Sequence, residues 1–391
     1  MTADPDPPVW PIVLAGFCSF LDLYSTQPIL PLLARELNAH QAEVSLTGTV
    51  AAAGVALSAP FAGALADRFG GKRTIVASAW LLALFTALAV LSRGLADLLV
   101  WRFLQGVVTP GIFAVTVAYI QRQWAGRGPG AATAAYVTGT VIGGFTGRAV
   151  SGWVAGHSGW RMSFLVLAVL NAAGAAALTR FLRRENRNQT NLRDGSSAYK
   201  LLKNNILMAT CAVGFCVLFS MHAVFTYIPF HLAEEPYRLG PGALGAIFSV
   251  YLIGAIVTPW FGLRIDRFGH RAVLAVSMAI SAAGALMTLA GPLAVVIAGL
   301  ALVCTGVFVA QASASSHIGA AVPGNLSLAV GMYVTCYYLG GSAGAAIPGW
   351  LWNLGGWPGC VALVLVVQAA TVALAWRGWS NRASPGHVKS L

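Results

Sequence analysis

The sequence predicts an all-α integral membrane protein of twelve transmembrane helices, arranged as two six-helix pseudo-symmetric halves. Three observations carry that prediction: a composition too apolar for water, a series of apolar windows of spanning length, and a charged stretch repeated half a chain apart. Of 391 residues, 57% are hydrophobic and 9% charged, and mean hydropathy is +0.73. A soluble domain carries about 25% charged residues, so this surface must face a lipid bilayer. A membrane helix takes about 20 mainly apolar residues, which leaves room for about a dozen spans joined by short loops.

Apolar windows place the first six spans near 10–33, 43–66, 74–92, 95–120, 131–156 and 161–182. A polar segment over 183–203 interrupts them, and six more follow near 205–230, 242–265, 272–290, 292–315, 327–351 and 358–377. The domain reading is therefore a half over 1–182, a linker over 183–203 and a half over 204–391. Ahead of the first span, Met1 to Pro8 carries Asp4 and Asp6 and no basic residue. A secretory signal needs a positive start and a small-residue cleavage site, so Trp10 onward reads as a retained span.

The formal net charge of +12 invites a nucleic-acid reading, which the positions of the charges exclude. Basic residues gather in alternate loops: at Arg68, Lys72 and Arg73, at Arg122 and Arg127, through Arg180 to Lys203, at Arg264, Arg267 and Arg271, and in the tail. The intervening loops hold only Arg35, Arg93, Arg161 and Arg238. That alternation is the positive-inside pattern, and it puts both charged hinges, the linker and both termini in the cytoplasm. The charge orients the chain.

The repeat centres on Gly63-Ala-Leu-Ala-Asp67-Arg68-Phe-Gly70-Gly71-Lys72-Arg73, echoed by Gly262-Leu-Arg264-Ile-Asp266-Arg267-Phe-Gly269-His270-Arg271. Asp266 minus Asp67 is 199. A second register, offset by 197, pairs Tyr136, Gly143, Gly147, Trp153 and Trp160 with Tyr333, Gly340, Gly344, Trp350 and Trp357. One offset held along a whole helix and its loop is more than composition supplies. Two halves of six spans in the same orientation form a parallel repeat.

With this architecture and hinge, the chain resembles the major facilitator superfamily. The hinge matches that family's loop between spans two and three, Gly-x-x-x-Asp-Arg-x-Gly-x-(Lys/Arg)-(Lys/Arg), through Gly63, Asp67, Arg68, Gly70, Lys72 and Arg73. Arg102-Phe-Leu-Gln105-Gly106 is similar to its span-four Arg-x-x-Gln-Gly. Span five reads Gly143-Gly144-Phe-Thr-Gly147-Arg148, which looks like a bacterial branch of arabinose-efflux-like permeases. Drug:proton antiporters instead carry a proline where Arg148 stands. The resemblance implies the major facilitator fold and a secondary active transporter in the bacterial inner membrane, working by alternating access. Proton-coupled efflux of a small molecule by a monomer is the first expectation, with symport or facilitated uptake of a sugar or organic acid as the alternative. It implies no cofactor, with a proton as coupling ion, and a role in coupling for Arg102.

Candidate residues follow from charge placement. Asp22 is the one acidic residue well inside a span, where an ionised Asp costs about 2.5–3.5 kcal/mol on insertion scales. It reads as a proton-coupling group, a counter-charge for a cationic substrate, or a structural partner of another buried polar group. Tyr24, Gln27 and Pro28 make the stretch beside it polar and kinked. Arg148 is a fixed charge in span five that needs a carboxylate, carbonyls, water or an anion, unless it snorkels outward. Arg102, a few residues into its span beside Gln105, reads as a coupling residue, a snorkelling side chain or a partner of Asp97. His222 could titrate near neutrality or simply pack, and Tyr227 is a weaker cavity candidate. The hinges read as charge-paired latches, Asp67 beside Arg68 and Lys72, that form in one conformation and open in another.

Other residues read as structural. Gly139, Gly143 and Gly147, with Gly340 and Gly344 in the second half, form small-residue stripes for close helix packing. Trp153, Trp160, Trp350 and Trp357 read as interface anchors. The six cysteines lie in apolar runs without a Cys-x-x-Cys pair and read as packing residues rather than metal ligands. Gly70-Gly71-Lys72-Arg73 fails as a phosphate loop, because Ala66 and Arg73 replace its first glycine and its Ser/Thr. A nucleophile–base motif is not evident, and the linker is too short for a signalling domain, which argues against an intramembrane enzyme or a sensor.

Overall fold

A computed structural model of the chain covers residues 8–124, 128–183, 201, 203–321 and 326–379, with the side chains of 259–267, 319–321 and 326–327 outside the described residues. Most of the proposed linker thus lies outside the described residues, as does the basic tail beyond 379. The first part folds as α1 (Trp10–Leu21), a 3-10 turn (Gln27–Ile29), α2 (Leu30–Glu36), α3 (Gln41–Phe69), α4 (Gly71–Ala89), α5 (Leu95–Val108), α6 (Pro110–Gln123) and α7 (Gly130–Phe181). The second part folds as α8 (Asn205–Ala233), α9 (Pro241–Ile247), α10 (Val250–Phe268), α11 (His270–Met287), α12 (Leu293–Ala321), α13 (Leu326–Ala346) and α14 (Pro348–Gly378).

Among the described residues, nine helices are long and apolar enough to cross a membrane. Two of them bend at glycines. α7 runs 52 residues and turns at Gly159, whose φ of 82 is left-handed. α14 turns at Gly355 and Gly356, the latter with φ 57. Gly159 and Gly356 are repeat equivalents, and an L side chain at either would be strained. Dividing the helices there, joining Pro348 to Leu354 to α13 as one span, and counting the broken first span, gives twelve spans.

Spans one, four, eight and eleven, read from sequence as continuous, are interrupted, the last at Ile347 between α13 and α14. Pro28 and Pro110 lack the N–H that would continue a helix, and the first span re-forms through turn bonds such as Ser25 N to Asp22 O at 3.1 Å and Gln27 N to Tyr24 O at 3.2 Å. Span eight divides between α9 and α10 at Phe248–Ser249. At the hinges, Gly70 (φ 91, ψ 144) and Gly269 (φ 81, ψ 153) adopt the same conformation between consecutive helices. The repeat seen in sequence is a repeat in backbone geometry.

The chain forms two compact units, residues 1–192 with 238–248 and residues 193–237 with 249–391. In the first unit α1 and α4 pack on α7, α3 packs on α5, and α9 packs on α7. Its core gathers Ile12, Ile75, Leu82, Ile112, Tyr119 and Leu178. In the second unit α13 and α14 pack on α8, and α11 packs on α12. The glycine stripes explain how α1 and α8 are held. A Cβ on Gly139, Gly143 or Gly147 would run into the backbone carbonyl of Val13, Phe17 or Leu21, and one on Gly340 or Gly344 into that of Phe215 or Phe219.

The tryptophans correct one expectation. Trp153 and Trp350 are 64% and 73% exposed, as interface anchors should be, but Trp160 and Trp357 are 1% and 2% exposed. The inner pair follows the glycine turn and folds back into its unit, where Trp357 Nε1 donates to Thr288 Oγ1 at 3.0 Å.

Candidate functional site

The break after Leu21 positions the site. Because α1 ends there, the carbonyls of Asp22 and Leu23 are not committed to a regular helix and face a buried cation. Arg102, 0% exposed, donates from NH1 to Asp22 O at 3.0 Å and from NH2 to Leu23 O at 2.7 Å. Its Nε reaches Thr47 O at 3.4 Å, and NH1 also donates to Gln105 Oε1 at 2.6 Å. Arg102 therefore neither snorkels nor pairs with Asp97, which instead accepts from Arg93 N at 3.1 Å. The i, i+3 spacing of Arg102 and Gln105 puts both on one face of α5.

Asp22 is buried. Its Oδ2 is hydrogen-bonded to Thr86 Oγ1 of α4 and accepts from Asn171 Nδ2 of α7 at 2.8 Å. Oδ1 of Asp22 and Oδ1 of Asn171 are buried without a hydrogen-bond partner. Gln105 closes the network by donating from Nε2 to Thr86 Oγ1 at 3.1 Å, and Thr86 Oγ1 also lies 2.7 Å from Leu82 O. The carboxyl thus ties the end of α1 to α4 and α7, with α5 joined through Thr86. Thr86 and Asn171 were missed in the sequence. A lone Asn within the apolar run Leu167-Ala-Val-Leu-Asn171-Ala-Ala was a usable signal, whereas a helical Thr is too common to be one.

Arg148 is also buried, at 2% exposure. Its Nε donates to Gln27 Oε1 at 2.7 Å and NH1 to Gly144 O at 2.7 Å. The guanidinium carbon lies 4.6 Å from the Tyr24 ring centre and 5.1 Å from that of Phe248. Stacking of this kind suits a planar, weakly hydrated cation. Buried Arg148 and Gln27 and half-buried Tyr24 are brought together as a second group, while Asp22 bonds with Thr86 and Asn171.

His222 and Tyr227 belong to the second unit. His222 packs its ring against Gly341, with Nδ1 3.3 Å from Leu218 O. Tyr227 donates to Ala345 O at 2.9 Å. Both hold α8 to α13.

At the first hinge, Asp67 pairs with Arg122 at the end of α6, 2.7 Å away, a partner from another loop than the Arg68 and Lys72 expected from sequence. Arg68 lies over the Phe69 ring at 5.4 Å. Gly63 has open space around its Cα, and Arg73 is an exposed first-turn residue of α4. In the second hinge, the side chains of Gly262, Asp266 and Arg267 lie outside the described residues. Arg271 is half-buried at the start of α11.

Buried ionisable groups inside an apolar helical repeat are the polar interior that a membrane transporter uses. A family model described as Major Facilitator Superfamily matches residues 12–240 and 233–390, and the chain belongs to that family. It is 31% identical over 361 residues to the Inner membrane transport protein YnfM of Escherichia coli (strain K12), covering 90% of this chain and 86% of that one. It is 30% identical over 356 residues to the uncharacterized MFS-type transporter YybF of Bacillus subtilis (strain 168), covering 90% and 88%. Among solved structures, a bacterial homolog of the human lysosomal transporter Spinster aligns with TM-score 0.79 at 15% identity, covering 96% of this chain and 98% of that one. The nucleoside transporter NupG aligns with TM-score 0.74 at 16% identity, covering 95% and 98%. The chain is a transporter of the major facilitator type and not an enzyme.

Proposed function

We propose that this protein exports a small molecule across the bacterial inner membrane by alternating access, in exchange for a proton carried by Asp22. In this reading it works as a monomer with both termini in the cytoplasm, and the export direction rests on the resemblance of span five to efflux permeases.

One observation supports the proton: the hydrogen inventory around Thr86. Arg102 has only donors, so the Gln105 oxygen turns toward it and the Gln105 amide toward Thr86. Thr86 therefore accepts from Gln105 and holds one hydrogen for two neighbours, Leu82 O and Asp22 Oδ2. A protonated Asp22 resolves the conflict, donating to Thr86 while Thr86 donates to Leu82 O. An ionised Asp22 takes the Thr86 hydrogen for itself and still leaves Oδ1 buried without a donor. A buried charge with an unmet oxygen is costly and a neutral acid much less so. Arg102 holds the break at Asp22 and Leu23 in shape in either case.

A thermal-shift screen of purified protein against sugars, organic acids, nucleosides and cationic drugs would identify a ligand. Flux of that ligand in proteoliposomes with an imposed pH gradient then tests the reading. Asp22→Asn should abolish gradient-driven flux while ligand-induced stabilisation persists. Gradient-driven flux that survives in this variant removes Asp22 from the coupling.

A further inference from the structure

The second unit carries a pair of thiols at a helix crossing. In the first unit, the α7 stripe meets α1 at three successive turns, Gly139 on Val13, Gly143 on Phe17 and Gly147 on Leu21. In the second unit, Gly340 meets Phe215 and Gly344 meets Phe219. The repeat of Gly139 at offset 197 is Cys336, and four residues before Phe215 stands Cys211. The register that puts Gly139 on Val13 thus puts Cys336 on Cys211, and the two thiols are close enough to interact. Both cysteines are free; Cys211 is buried and Cys336 half-buried. Close by, Tyr333 sits against Gly214 and is fixed by its hydroxyl donating to Gln311 Oε1 at 2.9 Å. The other half spans the same crossing with a glycine and a valine, so packing alone does not require two sulfurs here.

We propose that Cys211 and Cys336 are a modification site, a dithiol that small neutral peroxides oxidise to a reversible disulfide tying α8 to α13. Cys336, the more accessible sulfur, attacks one oxygen of hydrogen peroxide. The O–O bond breaks, the first water leaves and Cys336 holds a sulfenic acid. Cys211 then attacks that sulfur, the S–O bond breaks and a second water carries away the remaining thiol proton. Two thiols are oxidised, one peroxide is reduced to two waters, and a dithiol reductant restores the pair by exchange. One turn away, Gly340 meets the Phe215 backbone, so the helices run close together at this crossing, as a disulfide requires.

The test uses the full-length purified protein in detergent, treated with hydrogen peroxide and then alkylated with a maleimide after denaturation. The proposal expects two fewer reactive cysteines, an intact mass lower by two hydrogens before alkylation, and a linked peptide pair containing Cys211 and Cys336. It also expects a reductant-reversible rise in Tm of about 5 °C. Cys211→Val and Cys336→Gly install the residues of the other half and should each abolish the linkage and the Tm rise. Cys336→Ala serves the same purpose if the glycine variant does not fold. Oxygen addition at single cysteines, a linkage involving Cys216 or Cys304, or cross-linking only between molecules would overturn the proposal.

Discussion

The two halves share a backbone plan and differ in what they bury. Two successive turns of helix contact differ by 198 between α1 and α8, Phe17 against Phe215 and Leu21 against Phe219. At that offset Asp22 falls on Ser220, a buried residue whose hydroxyl donates to its own helix at Cys216 O, 2.9 Å away. Arg148 falls on Ala345 at the companion offset of 197, and Ala345 contributes only a carbonyl to Tyr227. One half therefore places a carboxyl and a guanidinium where the other places a hydroxyl and a methyl. A pseudo-symmetric scaffold does not require a symmetric site, and among the described residues the buried carboxyl and guanidinium groups, Asp22, Arg102 and Arg148, all belong to the first half.

The sharpest way to break that contrast is to exchange the residues. Asp22→Asn should reduce gradient-driven flux to the level of empty liposomes, whereas Ser220→Ala should leave it within about twofold, because the serine satisfies itself locally. Ser220→Asp should cost about 2.5–3.5 kcal/mol and be visible as lost monodisperse protein on size exclusion, since no partner set waits for the charge. Equal flux losses from Asp22→Asn and Ser220→Ala would end the comparison.

Backbone contact, by contrast, should be equally intolerant in both halves. Gly147→Ala and Gly344→Ala should each destabilise by about 1–3 kcal/mol, read as a fall in Tm of similar size for the two. A benign result in one half would mean that only the other relies on the stripe. Around Asp22, Thr86→Val removes the hydroxyl shared by Gln105 and the carboxyl. Flux should slow by about tenfold or more, and Thr86→Ser should restore most of it. Smallest in stability is the hinge. Asp67→Asn breaks a largely exposed ion pair with Arg122 worth under about 1 kcal/mol, so Tm should hold while any transport defect reports the change between states.

What could be read from the sequence was what depends on periodicity and on the repeat. Span count, the glycine stripes and the hinge glycines are features that composition and offset state directly, and the structure returns them. The interruptions of spans one, four, eight and eleven were not legible, because an apolar window does not register where a helix loses its hydrogen bonds. Pro28 marked only the first of them in advance. Partnerships across the fold were also hidden. Asp67 meets Arg122 over a separation of 55 residues, and Asp22 meets Asn171 over 149, distances at which one sequence carries no pairing information. The buried Trp160 and Trp357 misled for a related reason. Their nearness to span ends was visible, but the fold-back at the glycine before each was not.

The stripe along α7 has a further consequence for how such a protein can change. At Gly139, Gly143 and Gly147 the neighbouring helix is seated on bare backbone, carbonyl against Cα, an arrangement compatible with weak C–H···O attraction. The fit between those helices is thus written in atoms that every residue shares. Side chains to either side of the seam are relieved of holding it together. Tyr24, Gln27 and Arg148, which flank that seam, can be exchanged for residues of other size and charge while the helices keep their seat. The side chains beside the seam are thus open to change at little cost to the frame that carries them.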